Sequence, residues 1–173
     1  MKFENFYYVT LIIQSLVLII AITSIVFIAF FQIRYKNKIK KSKERLTKSI
    51  NTALLEKDHN QPFQESFSKK YQKEALLQTL EELNQNYRGE SWDRIKKELV
   101  RKYLIFYKTV YHPNALWKTK TWAARCIRLD PSLDDKETIE KLLNEKSFYI
   151  RSLAVDASVE LEDKDLINKV LEQ

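Results

Sequence analysis

One cysteine, two histidines and two close pairs of aspartates are the residues of this chain whose types could carry catalysis. Cys126 and His112 would make a thiol–imidazole pair, the imidazole taking the thiol proton to leave a nucleophilic thiolate. Asp134 with Asp135, and Asp163 with Asp165, would make paired carboxylates for general acid–base work. Each has a plainer reading. Cys126 falls on a helical pattern whose later copy places Ala157 at the same position, and a buried thiol packs as a small hydrophobe. His112 stands in "VYHPN" at the end of a helical stretch, where an imidazole can meet the last carbonyls. The aspartates open two helical segments, where negative charge complements the helix dipole. His59 and His112 share no metal-ligand spacing, and a lone cysteine excludes an internal disulfide and a thiolate cluster. A single glycine leaves no glycine-rich phosphate loop. The reading is a protein that is not an enzyme, with no catalytic, cofactor-binding or metal-binding residues and no small-molecule substrate.

What must position the remaining chemistry is helix. With one Gly and three Pro in 173 residues, hairpin turns have almost no residue suited to positive φ, and Lys, Glu, Leu and Ile favour helix. The fold class is all-α. The net charge of +7 looks like a nucleic-acid footprint, but residues 1–50 hold nine Lys/Arg against two acids, while residues 51–173 hold twenty-one of each. The excess belongs to a membrane signal, and no nucleic acid is expected.

Residues 9–33, "VTLIIQSLVLIIAITSIVFIAFFQI", form a run of twenty-five without a charge. About 20 apolar residues in a helix cross a hydrocarbon core, whereas a signal peptide has a shorter apolar region and a cleavage site. We read a transmembrane helix. Residues 34–48 then carry eight Lys/Arg and one Glu. Positive flanks stay on the cytoplasmic side. The expected topology is single-pass in the cytoplasmic (inner) membrane of a bacterium, N-terminus out, the rest cytoplasmic. Phe6, Tyr7 and Tyr8 at one end and Tyr35 at the other suit the interfacial belts. Thr10, Gln14, Val17, Ala21 and Ser24 share one face, and small and polar residues so placed can pack a second transmembrane helix.

Residues 34–68 read as a basic juxtamembrane segment and linker, polar around "KDHNQPFQES", with Ser68 as the N-cap of the first helix beyond it. From residue 69 to 173 five or six helices are expected. The first, 69–87, aligns Leu76, Leu80, Leu83 and Tyr87. The second, 92–111, is capped by Ser91 and aligns Trp92, Ile95, Leu99, Tyr103, Phe106 and Val110. It sets Arg94, Lys97, Arg101 and Lys108 on the opposite face, read as solvated, with the anionic membrane or an acidic partner as the alternative. A third spans 115–129, and shorter ones are expected at 134–145, 148–161 and 163–172.

"LDDKETIEKLL" (133–143) and "LEDKDLINKVL" (161–171) are near copies twenty-eight residues apart. The helices before them match at an offset of thirty-one, "KTWAARCI" (120–127) against "RSLAVDAS" (151–158). Two helix pairs of about thirty residues are the mark of a solenoid. Small residues at 123, 154 and 157 let helices approach, and Ile139, Leu142, Leu143, Ile167, Val170 and Leu171 fill between pairs. With only two clear copies, the last face is expected to belong to a longer array or to meet something else.

"LLNEKSFYIRSLAVDA" (142–157) resembles the short HEAT-like repeats of the phycobilisome-lyase type, with Leu142, Leu143, Ile150, Arg151, Ala154 and Ala157 in the pattern's places. It departs from the pattern at Asn144 and Glu145 and lacks the usual Gly. The resemblance covers about 115–173 and implies an α–α solenoid that binds proteins. The function expected is a membrane-anchored cytoplasmic scaffold or adaptor. The alternative is an accessory subunit of a membrane enzyme, in envelope-polysaccharide synthesis by analogy with similar members. The contact residues expected are Trp117, Lys118, Lys120 and Arg125, touching a protein partner or the membrane, with Trp92 and Trp122 holding the fold, because Trp and Arg dominate binding hot spots.

Overall fold

The structure, a computed structural model, describes residues 2–55 and 67–171. His59, Pro62 and the polar stretch around them lie outside the described residues. All regular structure among the described residues is helical, as the composition requires. The order is α1 (Lys2–Leu55), α2 (Lys70–Asn86), α3 (Glu90–Leu99), a π-helical segment Val100–Leu104, α4 (Ile105–Thr109), α5 (Trp117–Leu129), a 3₁₀ turn Leu133–Asp135, α6 (Lys136–Leu143), α7 (Phe148–Leu161) and α8 (Lys164–Leu171). The chain divides into two units, Met1–Lys41 and Ser42–Gln173.

The first unit holds the apolar part of α1 and the start of the basic run. It is the one helix among the described residues long and apolar enough to cross a membrane, and no residue of its most apolar window is buried. At about 1.5 Å per residue, the uncharged run exceeds the ~30 Å of a hydrocarbon core. The hydroxyls of Thr23 and Ser24 donate to the Ile19 and Ile20 carbonyls at 2.9 and 2.7 Å. These local bonds let polar groups sit in an apolar helix at little cost. Gln14, Ala21 and Ser24 all face outward, and Ser24 already donates within its own helix.

The second unit takes in residues read as linker. Leu46 and Ile50, one helical turn apart, are fully buried. The Lys43 ammonium meets Glu82 at 2.5 Å, and the Tyr87 hydroxyl donates to Asn51 at 3.4 Å. Residues 42–55 and α2 therefore advance in the same direction. Trp117 with Ser147 and Arg128 with Asp156 give α5 and α7 a common direction too. Lys73 over the Tyr107 ring, Tyr107 packed tilted against Trp122, and Glu81 bonded to Arg125 align α5 with α2. Residues 42–55, α2, α5 and α7 thus run in the same direction within the unit.

Two expected caps are corrected. α2 begins at Lys70 after Lys69, whose backbone N–H donates to Gln72 Oε1 at 2.9 Å, so Ser68 caps nothing. α3 begins at Glu90 after Gly89 at φ 110°, a conformation open to glycine, and Ser91 lies inside the helix.

The larger correction is the face of residues 90–109. Trp92 and Leu99 are buried as expected, but Phe106 is 62% exposed, while Leu104 and Lys108 are buried. The cause is the π segment Val100–Leu104. A π turn holds about one residue more than an α turn and displaces everything after it by one position. The expected series 103, 106, 110 becomes 104, 107, 111. Leu104 is buried, Tyr107 packs tilted against Trp122 at 4.5 Å between ring centroids, and the Tyr111 hydroxyl bonds Glu145 at 3.0 Å.

The copied segments fold with the same boundaries. α6 runs 136–143 and α8 runs 164–171, twenty-eight residues on; α5 starts at 117 and α7 at 148, thirty-one on. Ala123, Ala154 and Ala157 are all buried. Ile139, Leu142 and Leu143 join Ala124, Ile127, Ile150, Leu153 and Leu166 in one core cluster. In the second copy the expected trio is not equivalent. Ile167 and Val170 are half-buried and Leu171 is exposed, because α8 turns Leu166 into the cluster instead.

Candidate contact surface at the starts of two helices

Pro113 stops the helical run before α5. In the turn beyond it, the Ala115 N–H donates to the His112 carbonyl at 2.8 Å, and the Asn114 N–H donates to His112 Nδ1 at 3.2 Å. His112 thus accepts a proton donor rather than capping carbonyls. Leu116 precedes α5 without a side chain able to cap, and Ser147 precedes α7 without using its hydroxyl as a cap. Instead, Ser147 Oγ accepts from Trp117 Nε1 at 3.5 Å, drawing the two helix starts together.

Trp117 and Phe148 occupy the same first position of their helices, and both point outward, 60% and 77% exposed. Leu116 and Tyr149 extend the surface at 80% and 47%. By contrast Trp92 and Trp122 are 2% and 6% exposed. Trp92 Nε1 donates to Asn84 at 3.0 Å, so its polar edge is satisfied inside. Phe148 escapes notice in the sequence because it falls on no stripe, yet the offset of thirty-one already pairs it with Trp117.

The expected cations divide. Lys118 is exposed and makes no ion pair among the described residues. Lys120 meets Glu145 at 2.6 Å with both side chains mostly buried. Arg125 Nε donates to Glu81 at 2.9 Å, and its Nη2 bonds the other carboxylate oxygen. Burial alone would pull the guanidinium pKa down, but the Glu81 hydrogen bond and charge outweigh it and raise it. Arg128 reaches the same Glu81 at 3.2 Å. Lys120 and Arg125 are internal ties behind the surface, not free groups on it. Arg151 donates to the Glu145 and Lys146 carbonyls at 2.8 and 3.1 Å, and its guanidinium lies 5.9 Å from the Phe148 ring centroid. Glu145 is thus held by Lys120 and by Tyr111, whose phenol is pushed up to about 12 by burial first and by Glu145 second. Lys118 and Lys146 are exposed with no ion pair among the described residues, and Arg151 is tied to carbonyls rather than to a carboxylate. A shallow recess lined by Ala115, Trp117, Lys120, Glu145, Lys146 and Ser147 lies among these residues.

The groups that could have carried catalysis are placed elsewhere. Cys126 is fully buried, and burial pushes its thiol up to about 12, so it is protonated at neutral pH. Asp135 accepts from the Ser132 backbone N–H at 2.8 Å, and Asp163 Oδ1 accepts from the N–H groups of Asp165 and Leu166 at 3.0 and 3.1 Å, as helix-start carboxylates do. Lys136 bridges Asp163 and Asp165 at 2.8 and 3.0 Å, which raises the lysine pKa and lowers that of Asp163. Among the described residues no three His, Cys, Asp or Glu side chains converge as a metal site would need.

The basic face of α3 is also redrawn. Arg94, Lys97 and Arg101 are exposed beside Lys102, but Glu90, Asp93 and Glu98 line the same groove. The π turn carries Lys108 inside, where its ammonium meets the Asp130 carbonyl at 2.5 Å and Asp135 at 2.6 Å. Asp130 Oδ2 accepts from Arg101 at 3.2 Å, while Oδ1 is buried without a partner. Lys96 is buried too, within 3.2 Å of both Asn84 and Glu160. Nothing in the local composition marks these two lysines as interior.

Comparison of the chain with known protein families, curated proteins and solved structures finds no match.

Proposed function

We propose that this protein is a membrane-anchored scaffold or adaptor, whose helical domain is held at the cytoplasmic face by a single span and binds other proteins. The anchored reading is supported by the outward apolar surface of α1 and by helix continuing past the apolar run as far as Leu55. A span with N-terminus out agrees with the basic residues 34–48. For the domain we infer a small HEAT-like solenoid. Its support is the matched boundaries of α5 with α7 and α6 with α8, and the buried alanines where the helices approach.

The observation that carries the reading is the division among the tryptophans. Two are in the core, and the third stands outside among Leu116, Phe148 and Tyr149. An exposed aromatic group on one end of a small domain is a contact surface. The test is to extract the full chain from membranes in mild detergent and compare Trp117→Ala, Trp92→Ala and Trp122→Ala for melting and for proteins that co-purify. Trp117→Ala is expected to melt within a few degrees of the parent and to change what co-purifies, while the other two unfold the domain. A parent chain that purifies alone, with an unchanged profile in Trp117→Ala, would overturn the scaffold reading. A reporter fused at the C-terminus is expected to work only in its cytoplasmic form; periplasmic activity would reverse the topology.

A further inference from the structure

We propose that Leu116, Trp117, Phe148 and Tyr149, with Lys118 and Lys146, seat the helical domain on the anionic headgroup layer of the bilayer that holds the chain's own span. The inference rests on the anchored reading of α1 and names the first body that the contact surface meets. The seated domain presents its other helix faces to protein partners.

The side-chain types favour lipid over protein. Trp and Tyr concentrate at membrane interfaces, where an apolar ring and a polar edge are both accommodated. Leu and Phe add apolar tips that insert below the headgroups, and a lysine stem lies along apolar surface while its ammonium reaches phosphate. In protein–protein interfaces lysine is depleted at the core, yet here two lysines stand at the apolar surface beside Arg151, whose guanidinium is tied to the Glu145 and Lys146 carbonyls. The charge balance points the same way. Glu145 is held by Lys120 and Tyr111, so Lys118 and Lys146 remain uncompensated. A surface that is apolar and purely cationic complements an anionic leaflet.

The arrangement within the unit fits as well. Trp117 and Phe148 stand at the same position of two helices that run in one direction, joined by the Trp117–Ser147 bond, so their rings lie on one end of the domain. The basic residues 34–48 attract the same leaflet. Because the domain is covalently tethered, a patch too weak to bind vesicles alone is occupied through high effective concentration.

All three tryptophans lie in the second unit, and two are buried. The difference in tryptophan emission between the parent and Trp117→Phe therefore reports on one surface side chain. Full-length protein is reconstituted into phosphatidylcholine vesicles with about a third phosphatidylglycerol, with and without lipids brominated near the headgroup. Bromolipid quenching is expected in the parent and absent in Trp117→Phe. Lys118→Glu/Lys146→Glu, and phosphatidylcholine alone, are expected to reduce it several-fold. Parent quenching no greater than that of Trp117→Phe overturns the inference. So does a Trp117 open to acrylamide in vesicles but shielded in native membranes, which would assign the surface to a protein. Flotation of the same samples separates the two readings: a chain that fails to float refutes the anchor, and one that floats unquenched refutes only the seating.

Discussion

Deleting Lys102 tests the displaced face of residues 90–109 more sharply than any substitution. In a regular α-helix, removing one residue rotates everything after it by about 100° and throws the downstream core face into solvent. A π segment already contains the extra residue. Removing one from Val100–Leu104 leaves a plain α-helix in which Trp92, Lys96, Leu99, Leu104, Tyr107 and Tyr111 keep one face at three- and four-residue spacing. Lys102 is exposed, and its one described contact is its ammonium 5.3 Å from the Tyr103 ring centroid. Such an exposed cation–π contact contributes about 0.5–1 kcal/mol. Regularising the helix offsets part of that loss, so the deletion is expected to cost no more than about 1 kcal/mol.

Deletion of Ser152 from α7 is the control. There no extra residue exists, and the deletion rotates Leu153, Ala154 and Ala157, all buried, out of the core. Loss of Leu153 burial alone is about 1.5–3 kcal/mol. Thermal melting by circular dichroism, in one detergent, reads both. The Lys102 deletion should melt within a few degrees of the parent, and the Ser152 deletion should melt far lower or not fold. Equal losses would mean that residues 90–109 form an ordinary helix with Tyr103, Phe106 and Val110 inside, and the reasoning fails.

Ala154→Trp should overpack the approach of α7 to its neighbours at a cost of roughly 1–3 kcal/mol or more, and an unchanged melting temperature would refute close approach there. Cys126→Ala should be mild at neutral pH and should protect at alkaline pH. The unfolded thiol loses its proton near its ordinary value of 9.0, whereas the folded one holds it to about 12. The contribution is therefore intact below about 9 and lost as pH rises toward 12, as urea melts of parent and variant between those values would show. Lys108→Met should cost about 3 kcal/mol or more, because it leaves the Asp135 carboxylate without its cation and the Asp130 backbone carbonyl without its donor; the double variant Lys108→Met/Asp135→Asn should recover part of the loss.

The helices were legible where one force dominates. The uncharged run 9–33, the Leu76–Leu80–Leu83 stripe and the paired boundaries of α6 and α8 each arise from a single period. The tail of α1 was legible in principle. Leu46 and Ile50 sit four residues apart inside a basic run, but the charge around them reads as juxtamembrane signal and masks two core positions. The π turn left no mark, because an inserted residue in a helix looks like any helical residue until its neighbours' burial is known. The misplaced positions between Leu99 and Tyr111 trace to that one insertion.

The contact surface divides along a physical line. Exposure of Trp117 could be argued from its place just after Pro113, since backbone geometry at a turn is local. Whether a cation is free is not local. Lys118 and Lys120 are two residues apart with the same ammonium, and the difference is Glu145, twenty-five residues beyond Lys120. Arg125 is withdrawn from the surface by Glu81, forty-four residues before it. A charge's availability depends on a partner brought close by the whole fold, so the sequence supports a list of cations but not which of them still seek an anion. Phe148 and Lys146 join the surface for the converse reason. They fall on no stripe of their own; the offset of thirty-one pairs Phe148 with Trp117, and the contact between the starts of α5 and α7 sets them side by side.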